Sequence, residues 1–214
     1  MEESRFILVR HGQSVGNLHN TFLGHTDLPL TELGLRQARC TAEYLLNEAI
    51  DVMYASDLLR AYQTGQALAD LKGMELIPNP RLREIDAGKW EGMFFDDIGK
   101  VYPREFDTWL CDLGHAVCPE GESVAELSAR IVGEVTVLAE RHPGRTVFIA
   151  THATPIRMLK VHTLGLRPEQ ANEVPWAPNA SVTVFGVADG HFRLISDSYA
   201  EHLGDLITQF PNSI

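Results

Sequence analysis

Two short apolar runs, far apart in the chain, each end at a histidine. Residues 6–9 (FILV) lead into Arg10 and His11, and residues 146–150 (TVFIA) lead, one residue later, to His152. A short apolar run bounded by polar residues is typical of a strand that is buried on both faces of a parallel sheet. In open α/β sheets, ligands bind at the edge formed by the carboxyl ends of the strands. The two runs therefore predict a sheet that brings both histidines to one ligand-binding edge.

Strand and helix patterns alternate along the rest of the chain. Residues 51–55 and 75–78 are typical of two more strands, and a capping box at residues 123–126 predicts the start of a long helix. An Asp-Gly pair at residues 189–190 separates two strand-like runs and predicts a β-hairpin. This order predicts an α/β fold: a three-layer α/β/α domain with a mostly parallel central sheet and an antiparallel hairpin at its C-terminal edge.

Periodicity fails between about residues 88 and 121, where aromatic residues are mixed with Gly, Pro and Asp. The aromatic residues of this stretch are Trp90, Phe94, Phe95, Tyr102, Phe106 and Trp109. We interpret it as an insertion of short helices and loops over the ligand-binding edge, in which most of the aromatic side chains pack against the body of the domain. Residues 1–214 then form a single domain, with the insertion as a substrate lid.

The composition argues against a membrane-spanning protein and against highly charged partners. The chain has 214 residues, of which 44% are hydrophobic, and it contains no apolar run of about 18 residues that would span a membrane. A net charge of −11 argues against nucleic acid or an anionic membrane as partner. Three cysteines in no metal-binding spacing, and an N-terminus without a signal-peptide pattern, favour a cytoplasmic location. A homodimer is compatible with the sequence.

The predicted edge collects polar side chains from four separate segments of the chain. They are Arg10, His11, Asn17, Arg60, Glu84 and His152. Paired guanidinium groups suit a phosphate group, because each can offer parallel N–H donors to its oxygens. Arg60 belongs to a helix that Ser56 and Asp57 are expected to cap, and a helix N-terminus adds to the positive field. A site that only binds phosphate would not also need two histidines and a carboxyl group.

This combination of residues suits phosphoryl transfer through a covalent intermediate. A neutral imidazole can attack phosphorus if its other nitrogen is held as a hydrogen-bond donor. A partly buried carboxyl group, for which Glu84 is the candidate, can protonate the leaving alcohol. No metal or other cofactor is expected, because arginine and histidine supply the positive charge and the nine histidines include no His-x-x-x-His pair.

Four segments, taken together, resemble the signatures of the histidine phosphatase superfamily, in its phosphoglycerate mutase-like branch. They are residues 8–12 with Asn17, residues 56–61, residues 82–86 and residues 151–152. The resemblance covers residue 6 to about residue 200. It implies that His11 is the phosphorylated nucleophile and that Glu84 is the proton donor. The remaining implied positions are Arg10, Asn17, Arg60 and His152 in the phosphate pocket, and Gln13 and Gly24 in contact with substrate.

Two details qualify the resemblance. Asp86 and Glu91 compete with Glu84 for the role of acid, and we prefer Glu84 because it matches the motif. The family usually has Gly where this chain has Ala153. If that position needs a positive φ, alanine would strain the loop and slow the reaction.

The resemblance leaves several activities open. A phosphomonoesterase acting on small organic phosphate esters is favoured over a phosphoglycerate mutase, because mutases of the family usually have a longer and more basic insertion. Here residues 84–121 contain only Lys89, Lys100 and Arg104 as cations beside several aromatic residues. The α-ribazole phosphatase of cobalamin synthesis is a further alternative. A non-enzymatic phosphate sensor is disfavoured, since both the candidate nucleophile and the candidate acid are present.

Overall fold

A computed structural model describes residues 2–208 of the chain. Its strands are β1 (Ser4–Arg10), β2 (Val52–Ala55), β3 (Leu76–Pro78), β4 (Thr146–Thr151), β5 (Val182–Ala188) and β6 (His191–Tyr199). They form one sheet in the order β3-β2-β4-β1-β5-β6. The first four strands in this order are parallel, and β5 pairs antiparallel with both β1 and β6. The mostly parallel sheet and the C-terminal hairpin are therefore confirmed.

The helices cover both faces of this sheet. They are α1 (Val15–His19), α2 (Glu32–Tyr44), α3 (Leu59–Lys72), α4 (Phe95–Val101), α5 (Pro103–Cys111), α6 (Val124–Arg141) and α7 (Ala153–Thr163). Short 3₁₀ helices lie at Pro80–Leu82, Gly88–Trp90, Leu113–His115, Pro168–Glu173 and Glu201–Leu206. None of the helices between residues 2 and 208 is long and apolar enough to cross a membrane.

Alternating side chains of β1 divide the core into two layers. Phe6 and Leu8 pack into the cluster that α6 and α7 cover, whereas Ile7 and Val9 pack into the cluster that α2 and α3 cover. All four side chains are fully buried, which explains why the run is apolar at every position instead of every second one. The three-layer α/β/α architecture is confirmed.

The register of the central strands places the two histidines side by side. Arg10 pairs with Thr151 at the carboxyl ends of β1 and β4, so His11 and His152 are the next residues of adjacent parallel strands. The backbone N–H of His11 extends the ladder by donating to the Thr151 carbonyl at 2.9 Å. The sheet edge that the two apolar runs predicted therefore exists at these residues.

The aromatic stretch between residues 88 and 121 contains α4 and α5. Trp90 is fully buried and Trp109 nearly so, and both make edge-to-face contacts with Phe22 from the loop after α1. Such ring pairs are favourable beyond the area that they bury. Most of these aromatic side chains pack in the interior or against it, as expected, while Phe94 is more than half exposed. The role of the stretch as a substrate lid stays a prediction.

The prediction that Ser56 and Asp57 cap α3 is wrong. The N-cap residue is Leu58, which offers no side-chain acceptor. Instead Asp27, from a distant loop, accepts the Leu59 backbone N–H at 2.6 Å. Asp57 forms an ion pair with Arg83. A Ser-Asp pair before a helix is a common capping pattern, but here tertiary contacts engage both side chains.

Candidate active site

A cavity opens at the carboxyl ends of β1 and β4. Its volume is about 110 Å³. Of the residues expected at the site from the sequence, those that line it are Arg10, His11, Gln13, Asn17, Arg60 and Glu84. His152 lies directly beside this group, with its ring centroid 5.2 Å from that of His11. Four distant segments of the chain therefore meet around one cavity.

His11 is held in a single tautomer. Its Nδ1 lies 2.7 Å from the Gly12 carbonyl oxygen, and since a carbonyl only accepts, Nδ1 must carry the proton. Nε2 then keeps its lone pair. Burial, with the positive charges of Arg60 and Arg10, holds the pKa of His11 well below its usual range. The ring is therefore neutral, and thus nucleophilic, at neutral pH.

His152 is fully buried behind the first histidine. Its Nε2 lies 2.8 Å from the Ser56 hydroxyl, and its Nδ1 has no hydrogen-bond partner among residues 2–208. Burial, followed by the charge of Arg60, lowers its pKa well below the usual range. If Ser56 donates to Nε2, Nδ1 carries a proton that is available to an anionic ligand.

The lowered histidine pKa values predict a pH-dependent stability. Below about pH 6.5 the unfolded chain binds protons that the folded His11 and His152 do not, so the free energy of unfolding falls as pH decreases. Each group contributes a slope of up to about 1.4 kcal/mol per pH unit. In urea unfolding between about pH 7 and about pH 5.5, His152→Gln should show a shallower slope than the wild type. Equal slopes would contradict the lowered pKa of His152.

The two arginines are fixed by backbone carbonyl groups. Arg10 donates from Nη1 to the Ala177 carbonyl at 2.6 Å. Arg60 donates to the carbonyls of Thr26 and Gly24 at 3.0 and 2.8 Å. Burial lowers their pKa values to about 9 and about 10, respectively, so both remain cationic at neutral pH. A rigid pair of buried cations is well suited to bind phosphate oxygens.

Glu84 reaches the same cavity from the segment after β3. One carboxylate oxygen accepts the Ile85 N–H at 2.8 Å, and the other accepts the Thr154 N–H at 3.2 Å in the first turn of α7. Its backbone carbonyl accepts hydrogen bonds from Arg130 and, at 3.1 Å, from His25 Nε2. Glu84 is almost fully buried, and hydrogen bonds hold both its carboxylate oxygens and its backbone carbonyl. It is well placed to exchange a proton with a ligand in the cavity.

The competing carboxyl group of Glu91 has a different function. It accepts backbone N–H groups of Gly24, His25, Thr26 and Ala87 at 2.5–3.3 Å. These bonds order the loop whose carbonyls hold the Arg60 guanidinium. Gly24 itself is not among the residues that line the cavity, and a Cβ there would lie 2.3 Å from the Ile85 carbonyl oxygen. The predicted contact of Gly24 with substrate therefore has no support in the structure. Glycine is needed at this position because the neighbouring backbone lies too close for a Cβ.

Glu91→Gln is expected to lower the free energy of unfolding by about 1–3 kcal/mol, because charge-assisted bonds to several partly buried N–H groups are weakened. Arg60 would lose part of its support, so the KM for a phosphate ester should rise as well. Urea unfolding and steady-state kinetics measure both effects. Glu120→Gln, at an exposed surface pair with Lys89, is the control. Unchanged stability and KM in Glu91→Gln would disprove this role.

Asp86, the other competing carboxyl group, accepts the Gly88 N–H at 3.0 Å in a local turn and is not among the residues that line the cavity.

The amide side chains of Asn17 and Gln13 both line the cavity. Asn17 also accepts hydrogen bonds from the backbone and hydroxyl groups of Ser14, the N-cap residue of α1, so it completes the capping box of that helix.

The model of the histidine phosphatase superfamily, branch 1, matches residues 6–197. The chain belongs to this superfamily. A phosphoserine phosphatase from Hydrogenobacter thermophilus is 30% identical over 98% of this chain and 99% of its own length. A phosphoglycerate mutase-like protein from Arabidopsis thaliana is 32% identical over 89% of this chain and 86% of its own.

Solved structures of two similar proteins agree with the fold. YhfR from Bacillus stearothermophilus superimposes with a TM-score of 0.89 at 27% identity, covering 94% of this chain and 99% of its own. A mycobacterial glucosyl-3-phosphoglycerate phosphatase superimposes with a TM-score of 0.84 at 28% identity, covering 93% and 100%. Both similarities extend over almost the whole chain.

Ala153, where the superfamily usually has glycine, fits without strain. It is the first residue of α7 and is not among the non-glycine residues with positive φ. Its Cβ therefore needs no left-handed backbone, and the expected penalty does not arise. Its side chain instead forms part of the cavity wall.

Several residues at the site were not predicted from the sequence. Asn179 donates to the His11 carbonyl at 3.0 Å and to Asn17 Oδ1 at 3.2 Å. Ala180 has a φ of 57°, and its N–H contacts the carbonyls of Arg10 and His11. Trp176 contributes an aromatic wall. The Pro-Asn pair at residues 178–179 signals a turn, but nothing local indicates that this turn supports β1.

Proposed function

We propose that this protein is a metal-independent phosphomonoesterase that hydrolyses small organic phosphate esters through a phosphohistidine on His11. The single observation that carries the proposal is the His11 ring. It is buried, neutral and fixed by Gly12 so that Nε2 keeps its lone pair, next to two cationic arginines. Phosphatases among the similar proteins support the same reaction class.

In the first step, Nε2 of His11 attacks phosphorus and the ester P–O bond breaks. Charge on the phosphoryl oxygens is balanced by Arg10 and Arg60, with His152 as a further donor. The departing alkoxide takes a proton from the Glu84 carboxyl group. The products of this step are the free alcohol, the Glu84 carboxylate and a phosphohistidine whose Nδ1–H still donates to Gly12.

In the second step, the Glu84 carboxylate takes a proton from a water molecule as that water attacks the phosphohistidine. The P–N bond breaks, inorganic phosphate leaves and Nε2 of His11 regains its lone pair. Glu84 is again protonated. The cycle therefore consumes one ester and one water, and its proton transfers need a single carboxyl group.

The cavity walls favour hydrolysis over mutase exchange. Among the described residues, the arginines and lysines that line the cavity are Arg10 and Arg60 alone. The aromatic residues that line it are Phe22, Phe95, Trp109 and Trp176. A mutase must retain a doubly anionic product and return the phosphoryl group to it, and the lining of this cavity offers no arginine or lysine for that product beyond Arg10 and Arg60.

A panel of phosphate esters assayed for released phosphate tests the proposal. It should contain an aryl phosphate, O-phosphoserine, α-ribazole phosphate and 3-phosphoglycerate with 2,3-bisphosphoglycerate. We expect phosphate release from at least one ester, with slower exchange between phosphoglycerates. Exchange that is faster than hydrolysis would identify a mutase. Selective hydrolysis of α-ribazole phosphate would identify that phosphatase.

Excess EDTA is expected to leave the hydrolysis of an aryl phosphate unchanged, because fixed arginine side chains supply the charge that a metal would otherwise supply. Among residues 2–208, no group of three or more His, Cys, Asp or Glu side chains is arranged to hold a metal ion. The measurement is the initial rate before and after dialysis against the chelator. A loss of activity that a divalent ion restores would contradict the proposal.

We also infer a small-molecule partner and a cytoplasmic location. Cys40, Cys111 and Cys118 are free thiols, as a reducing compartment would keep them. The net charge of −11 disfavours nucleic acid and anionic membranes. A homodimer stays compatible with the sequence, and light scattering on the purified protein would determine the oligomeric state.

A further inference from the structure

A second open cavity shares two wall residues, Trp109 and Trp176, with the active-site cavity. The two indole rings are nearly parallel, with centroids 6.2 Å apart. The cavity has a volume of about 500 Å³, which lies in the range of small-molecule sites. Its other lining residues are Leu110, Arg157, Asn172, Val174 and Pro175. No acidic side chain of the described chain is among them.

The cation in this cavity, Arg157, is almost fully buried and poorly satisfied. One N–H group, on Nη2, donates to the Ala171 carbonyl at 3.1 Å. The guanidinium carbon lies 4.0 Å from the centroid of the Trp176 ring. The Nε–H group is buried and has no hydrogen-bond partner among residues 2–208. No Asp or Glu in that part of the chain forms an ion pair with it.

A buried guanidinium group without a counter-ion is energetically unfavourable. Stacking on Trp176 offsets part of the lost hydration. Burial lowers the pKa of Arg157 to about 10, so the group stays charged at neutral pH. Lys160, one turn along α7, is also buried, but it has Asp197 as partner at 2.9 Å. Arg157 is therefore a buried cation whose charge an anionic ligand in the cavity would balance.

We propose that this second cavity binds an anionic oxygen group, a carboxylate or a phosphate, through Arg157, with Trp109 and Trp176 packing against the rest of the ligand. The anion has two sources: a second group on the phosphate ester, or a separate small acid. The first source rests on the proposed phosphatase function, and the second does not. Nothing in the proposed reaction steps uses Arg157, so the site is separate from the chemistry.

Titration with malonate, followed by tryptophan fluorescence, tests the site directly. Malonate carries carboxylates, and Trp109 and Trp176 would report its binding. We expect a saturable change in the wild type and an affinity at least about tenfold weaker in Arg157→Met. Arg167→Met, at a largely exposed arginine, is the matched control and should bind as the wild type does. No saturation in the wild type, or equal affinity in Arg157→Met, would overturn the proposal.

A second variant, Arg157→Lys, keeps the proposal testable if Arg157→Met does not fold. If Arg157→Met is unfolded by circular dichroism, Arg157→Lys keeps the charge but loses the planar donor geometry, and binding should weaken severalfold. An affinity for malonate that is unchanged in Arg157→Lys would then count against a site built on the guanidinium group.

The source of the anion is decided with two substrates that differ by one carboxylate, O-phosphoserine and O-phosphoethanolamine. If the substrate carries the anion, the ratio of their kcat/KM values should fall about tenfold in Arg157→Met. If a separate acid binds, that ratio stays constant while malonate affinity still falls. A wild-type enzyme that releases phosphate from neither of these esters nor from any ester of the panel described above would refute the phosphatase function, and the malonate titration would still decide the site.

Discussion

His11→Ala is expected to lower the turnover of an aryl phosphate by at least about 10⁴-fold. The reason is the loss of the His11 Nε2 lone pair, which belongs to a fixed, neutral ring that lines the cavity. Arg10, Arg60 and His152 would remain, so the variant should still bind phosphate and keep its fold. The measurement is kcat for an aryl phosphate together with the dissociation constant of inorganic phosphate.

The matched control is His191→Ala, at an exposed position of the C-terminal hairpin, which should retain full activity. This control separates the effect of His11 from a general effect of losing an imidazole. An activity in His11→Ala within about tenfold of the wild type would show that water, or another side chain, attacks phosphorus directly.

Glu84→Gln is expected to have the second largest effect, and its size should depend on the leaving group. An alkyl alcohol leaves poorly without a proton, so turnover of an alkyl phosphate should fall by about 10²–10⁴-fold. A nitrophenolate leaves without that help, so formation of the phosphohistidine from p-nitrophenyl phosphate should fall much less. Pre-steady-state release of the alcohol from both esters measures this difference.

Asp86→Asn is the control for this experiment, since Asp86 is the neighbouring carboxyl group and bonds to a local turn instead of lining the cavity. Its rates should stay close to those of the wild type. Two results would show that Glu84 is not the acid. One is an equal loss of rate for alkyl and aryl esters in Glu84→Gln, and the other is a larger loss of rate in Asp86→Asn than in Glu84→Gln.

The parts of the site that are contiguous in sequence were predictable. The run at residues 6–9 is apolar at every position because β1 is buried on both faces, and that pattern alone indicates a central parallel strand. His11 and His152 follow the ends of such runs, so their meeting at one edge is a consequence of parallel pairing. Motif similarity favours Glu84 over Glu91 as the acid, and in the structure Glu91 is engaged by backbone N–H groups of the loop at residues 24–26, so the role of Glu84 stays a prediction.

The parts that depend on contacts between distant segments were not predictable. The Ser-Asp pair before α3 satisfies the local rule for a helix cap, but Ser56 contacts His152 and the cap comes from Asp27. Asn179 supports His11 from a loop that precedes β5 by a few residues. Arg157 looks like an ordinary polar position of an amphipathic helix. Its burial beside Trp176 becomes evident only when the chain is folded.

Peptide mapping of the enzyme during turnover tests the central assignment most directly. Enzyme in excess over a radiolabelled aryl phosphate is quenched in base, which preserves phosphohistidine, and the labelled peptide is sequenced. We predict that the label lies on His11 and disappears as inorganic phosphate forms. A label on any other residue, or simultaneous release of alcohol and phosphate with no labelled enzyme at any time, would contradict the account.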